Sequence, residues 1–146
     1  MRFSVASNPR LMDVTHAVFR IGVGLLFLQH GLQKLFGLFG GRPVELASLM
    51  GVAGICEVVG GGLLILGLFV PPVAAILTIE MLVALAKVHL PRGGWPIQNG
   101  GELPLLFALA FVFLAGHGAG AFSMDARLRR RRSRAARIDI LTRRAA

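Results

Sequence analysis

His30 and Lys34 lie four residues apart in "LQHGLQKLFG", and Gln29 and Gln33 repeat that interval one position earlier. Four residues is little more than one helical turn, so each pair shares a helix face. Glu57 stands alone in "GICEVVGGG" and Glu80 stands alone in "LTIEMLVAL". Lys87 follows Glu80 by seven residues, nearly two turns, and falls on the same face. His89 and Glu102 close the set at either end of "HLPRGGWPIQNGGE". Each of these groups sits in or beside a long apolar run, where an ionisable side chain needs a partner, water or a ligand. Acids and bases of mixed sign gathered at one depth can pair with one another, hold a polar head group or pass protons.

The elements that must position them are apolar helices. Hydrophobic residues make up 55% of the 146 and charged residues 16%, too apolar for an ordinary soluble domain. The excess falls in four blocks, about Val14 to Phe36, Leu46 to Val70, Pro72 to Leu90 and Glu102 to Phe122. Each is long enough, or nearly so, to cross a hydrocarbon layer of about 30 Å. The fold class is therefore an all-α membrane protein, a four-transmembrane-helix bundle. The first block is not a removable signal peptide, because "QHGLQKLFG" follows it with no small-residue cleavage pattern. "FGGRP" breaks the first helix, and "FVPP" is a tight turn whose prolines end one helix and open the next. The chain divides into an N-terminal segment 1–13, a membrane domain 14–125 and a basic tail 126–146.

The formal net charge of +9 does not make this a nucleic-acid binder. Nine of the sixteen basic residues are arginines beyond residue 126, and no aromatics interleave with them. A basic tail after a membrane helix is a topology signal and a contact for anionic lipid. With Arg2 and Arg10 at the other end and an even number of crossings, the positive-inside rule puts both termini in the cytoplasm. The linkers at about 37–45 and 91–101 then face outward. Glu57 and Glu80 fall near the midplane, and His30, Lys34, Lys87, His89 and Glu102 in the outer half. Trp95 reads as an interfacial anchor. Arg20 lies in the inner half, where Asp125 can neutralise it as a structural clasp.

The lone cysteine, Cys56, excludes an internal disulfide and a self-contained dithiol oxidoreductase, and reads as a small packing residue. Four histidines raise the question of haem, which needs two facing imidazoles at one depth. His16 and His89 stand at helix ends, so haem is not expected, and neither is a covalent cofactor. No metal site is expected, since no two histidines share a helix face at ligand spacing.

The runs "RIGVGLLFLQHGLQKLFGLFGG", "GICEVVGGGLLILGLF", "HLPRGGWPIQNGGELPLLF" and "GAFSMD", in this order over about Arg20 to Asp125, resemble the DoxX family of small membrane proteins. The resemblance implies four transmembrane helices and a bacterial plasma (inner) membrane location. Its name-giving members are associated with a thiosulfate:quinone oxidoreductase, and others with redox or oxidative-stress assemblies. The family's recurring polar positions carry over as His30, Gly31, Lys34, Glu57, Glu80, His89, Arg92, Trp95, Asn99 and Glu102. Arg92, Trp95 and Asn99 would form an outer lid, with Glu102 facing Lys34 or Lys87 across the mouth. Two features depart from the pattern. "FVPPV" lacks the usual basic residue before its proline, and "GHGAG" puts His117 where relatives tend to have proline.

Three functions compete. The first is a quinone-linked redox component, with a quinone among His30, Lys34, Glu57, Glu80 and Lys87, and electrons passing to a membrane or cytoplasmic partner. If it catalyses, it does so as an oxidoreductase subunit. The second is a transporter or permeation protein for a small solute. The third is a non-catalytic assembly subunit whose polar groups only lock the bundle. A homo-oligomer is compatible with all three.

Overall fold

The computed structural model describes residues 8–145, with backbone alone at 138–140 and 143–145. Arg2 and most of the N-terminal segment 1–13 therefore lie outside the described residues. Six helices follow in order, with no strand among the described residues: α1 (Pro9–Phe36), α2 (Leu49–Leu66), α3 (Val70–Ala84), α4 (Pro96–Asn99), α5 (Glu102–His117) and α6 (Met124–Ala145). A π-helical turn, Leu85–His89, and a 3-10 turn, Leu90–Arg92, extend α3. The spans Pro9–Phe36, Leu49–Leu66 and Val70–Arg92 are long and apolar enough to cross a membrane, and Glu102–His117 is a shorter apolar helix.

Local chemistry sets the boundaries, and it corrects several of the expected ones. α1 begins at Pro9, five residues before Val14, because the Asn8 carboxamide oxygen accepts from the amides of Arg10 and Leu11 and Pro9 opens the first turn. Gly37, at φ 68°, ends it. α2 begins at Leu49 and not Leu46, since Ser48 is its N-cap and accepts from the Gly51 amide at 3.0 Å. α5 stops at His117, five residues short of Phe122, where Gly118 and Gly120 both take φ 74°. The tail, expected only as a basic extension, is the 22-residue helix α6.

Packing follows from glycine on one side and phenylalanine on the other. α1 and α2 run antiparallel with Gly24 against Gly61 and Gly31 against Gly54. A methyl group at Gly31 would come 2.7 Å from the Gly54 carbonyl oxygen. Small residues let two backbones approach this closely. α1 meets α5 through rings: Phe27 stands edge-on to Phe107 and Phe111 at centroid distances of 5.1 and 4.8 Å. These rings join Leu64, Leu77, Met81 and Leu114 in one buried core.

α2 and α3 are successive helices joined by the turn at 67–69, and they touch at Gly60 and Leu77. A methyl group at Gly60 would lie 2.7 Å from a Leu77 methyl carbon. Phe69 adopts a left-handed conformation at φ 52°, unusual for a bulky residue. Its amide and that of Val70 donate to the two carboxylate oxygens of Asp125, at 3.1 and 3.2 Å. On the other side of the turn, Arg20 is 1% exposed. Its guanidinium donates to the carbonyls of Leu64, Ile65 and Phe122, the last two at 2.9 and 2.7 Å. The expected clasp of Arg20 with Asp125 is therefore indirect. The two side chains do not form an ion pair, because each is engaged by backbone groups of this one corner.

Candidate functional site

Beyond the Gly60–Leu77 contact, α2 and α3 part and leave a cavity of about 480 Å³. α1 contributes Phe27, His30 and Lys34 to its wall, and α2 contributes Cys56 and Glu57. α3 and its π turn supply Glu80, Lys87 and His89, and α5 closes the wall with Leu103, Pro104 and Phe107. Of the seven pocket residues expected from the sequence, six therefore line one cavity. Glu102 is the exception: it is exposed, outside the lining, and faces neither Lys34 nor Lys87 as an ion-pair partner.

The polar groups form a graded set. Lys34 pairs with Glu57 at 2.5 Å, the only ion pair among the described residues, with Glu57 2% and Lys34 23% exposed. The second oxygen of Glu57 has no hydrogen-bond partner. Neither oxygen of Glu80 has one either, although both are shielded from solvent. A buried carboxyl without partners calls for a water, an ion or a ligand to satisfy it. His30 stands perpendicular to Phe107, with centroids 5.8 Å apart, so its ring is held by packing. The remainder of the wall is apolar, which strengthens any electrostatic contact made inside.

The rim is built differently from the expected lid. Pro91 cannot donate a backbone hydrogen bond, and its ring clashes with an α-helical turn before it. The chain answers with the π turn, in which the Leu90 amide reaches the Leu85 carbonyl. Such turns absorb one extra residue in a single wide turn and are frequent at functional sites. Lys87 and His89 stand in this turn and line the cavity. Asn99 is buried and works as a turn organiser, not as a lid. Its side chain donates to the Gly93 carbonyl at 2.6 Å and accepts from the Gly101 amide at 2.8 Å. Its own carbonyl oxygen lies 3.0 Å from His89 Nδ1. Arg92 and Trp95 are exposed and outside the cavity lining, so they do not cover it. Trp95 is 70% exposed.

Sequence reasoning missed Cys56, read only as a packing residue, as part of this wall. Its place next to Glu57 and one turn before Gly60 was the available signal. The remaining histidines lie elsewhere. His117 stacks on Phe113 at 4.0 Å between centroids, with His16 on the same ring at 6.0 Å. Among the described residues no three His, Cys, Asp or Glu side chains are grouped as metal ligands would be.

The DoxX family model matches residues 15–90, which run from the second turn of α1 through α2, α3 and the π turn. A protein of Haemophilus influenzae, described as uncharacterized, is 40% identical over 75% of this chain and 87% of its own length. A Mycobacterium tuberculosis protein described as an uncharacterized membrane protein is 30% identical over 77% of this chain and 80% of its own length. No solved structure matches. On the family match, the apolar spans and these two relatives, the chain is an integral membrane protein and belongs to the DoxX family.

Proposed function

We propose that this protein is a quinone-linked redox component of the bacterial plasma membrane, crossing it four times with both termini in the cytoplasm. The observation that carries the reading is Glu80, a carboxyl with both oxygens buried and unpartnered on the wall of a largely apolar cavity. A quinone fits such a site: its ring suits the apolar wall and its oxygens need a few polar groups at one end. His30, Lys34, Glu57 and Glu80 would hold it, and a bound quinone supplies paired electron and proton uptake.

The chain's own residues handle protons and position. The free oxygen of Glu57 and the two of Glu80 can each take or give a proton at the cavity wall, with Lys34 fixing Glu57 in place. Phe27 and Phe107 exclude water from the inner end. Electrons must pass to a partner protein carrying flavin, haem or metal, because these side chains do not carry them. On the opposite face, the arginines of α6 from Arg127 to Arg137 fit a cytoplasmic anionic lipid surface.

The test is to purify the protein in mild detergent, analyse its organic extract, and titrate the stripped protein with quinone. Saturable binding that is lost in Glu80→Ala supports the reading. No quinone in the extract, together with no binding on titration, would sink it. Uptake of a solute by liposomes holding this protein alone would point instead to permeation.

A further inference from the structure

The cavity has two openings of different character. Lys87, His89 and Gly100 stand at its rim, while its flank is bounded by Val52 of α2 and by Ile76, Ile79 and Val83 of α3. The flank residues line the cavity and yet are strongly exposed: Val52 is 52%, Ile76 58% and Ile79 63%. A side chain can do both only at the lip of an opening. At the depth of Glu57 and Glu80 the opening is lateral, since α1 and α5 close the other sides there through Phe27, His30 and Phe107. The exposed lining residues Leu49, Met50 and Leu103 stand in the first turns of α2 and α5, at the rim end. Ile76 and Ile79 lie six and nine residues into the span from Val70, roughly 9 and 14 Å along it, so the lip is at hydrocarbon depth. Water-soluble molecules do not reach such an opening, and acyl chains do.

Building on the quinone reading above, we propose that the ligand enters from the bilayer core as a dissolved amphiphile. Its polar head lodges against Glu57 and Glu80, and its apolar tail leaves between α2 and α3 across Val52 and Ile79. The Gly60–Leu77 contact closes the cleft one turn below the two carboxyls and stops the head from sliding further. The selected class is therefore a small polar ring carrying a long hydrocarbon or isoprenoid tail, and a tailless ring is a poorer ligand.

Two photoreactive quinone analogues test this on full-length protein in liposomes, one with the reactive group on the ring and one with it along the tail. The expected result is ring labelling on the inner wall near Glu57 and Glu80. Tail labelling is expected on 49–56 and 76–83, and an excess of unlabelled decyl-quinone should suppress both. Ile79→Trp and Val52→Trp change lipid-facing side chains and leave the core alone. They are expected to weaken the tailed quinone about tenfold and the tailless ring little. Competed ring labelling of the inner wall with tail labelling on the 93–101 rim would overturn lateral entry and leave the quinone reading standing. No competed labelling by either probe would overturn both.

Discussion

Arg20 and Asp125 hold one turn from opposite electrical ends without meeting. The arginine gathers the final carbonyls of α2, where a helix presents unpaired acceptors, and the aspartate gathers the first amides of α3, where a helix presents unpaired donors. Between them lies Phe69 in its left-handed conformation. Residues far apart in the chain thus fix the corner from which the α2–α3 cleft opens.

Arg20→Met is expected to leave three buried carbonyl contacts unmade and to destabilise the protein by about 3 kcal/mol, since hydrogen bonds to charged groups contribute about 1.5–3 kcal/mol each and some will rewet. Asp125→Ala removes a cap and is expected to cost about 1 kcal/mol. Because both act on one corner, the double variant should fall short of additivity by at least about 0.5 kcal/mol. Thermal unfolding in detergent, followed by circular dichroism, measures all three. Full additivity would show that the corner is not a unit.

The Lys34–Glu57 pair separates stability from function. Glu57→Gln leaves the ammonium of Lys34 without its counter-charge. It should destabilise by about 3 kcal/mol, the low end for a buried pair because Lys34 is 23% exposed. Replacing both, Lys34→Met with Glu57→Leu, should restore most of that stability while quinone binding stays lost. A double variant as unstable as Glu57→Gln would mean that the pair is needed for packing itself.

Gly31→Ala should separate α1 from α2, since its methyl group meets Gly54 and Val58 at 2.7 Å. Overpacking of this kind costs about 1–3 kcal/mol. Gly22→Ala, where nothing lies within 4 Å, is the matched control and should be neutral. Equal melting temperatures for the two variants would contradict the close approach.

Asn99→Ala removes the hydrogen bonds to Gly93 and Gly101 and loosens the seat of His89. Amide exchange should rise across 93–101 and stay unchanged in α1. Trp95→Ala, an exposed residue outside the cavity, should change neither exchange there nor ligand affinity.

The apolar blocks were readable because hydropathy alone marks them, and Glu57, Glu80 and Lys34 were readable because charge stands out inside such blocks. The helix ends were read less well. Asn8 and Ser48 set their caps with side-chain oxygens that a hydropathy pattern does not register. Lys34 was free to choose among several carboxylates on paper. Only the close glycine seam of α1 with α2 brings it to Glu57 and not to Glu102. Trp95 and Arg92 looked like a lid because they adjoin polar residues in sequence. The π turn and Asn99 send that loop elsewhere, and neither leaves a mark in periodicity. α6 escaped notice because its run of arginines is strongly polar and lacks the long apolar block by which the other helices were read.

One spare residue between Leu85 and His89 widens the turn on which Lys87 and His89 stand. Deleting Ala86 would take out the residue that the wide turn absorbs. Ordinary α winding would resume with the chain beyond Leu90 close to its present bearing, while the residues inside the turn would rotate about the axis. Lys87, nearest the deletion, would shift around the chamber wall although it had not been altered. Chain length at that bend, as much as the identity of any acid or base, decides what a visiting molecule meets.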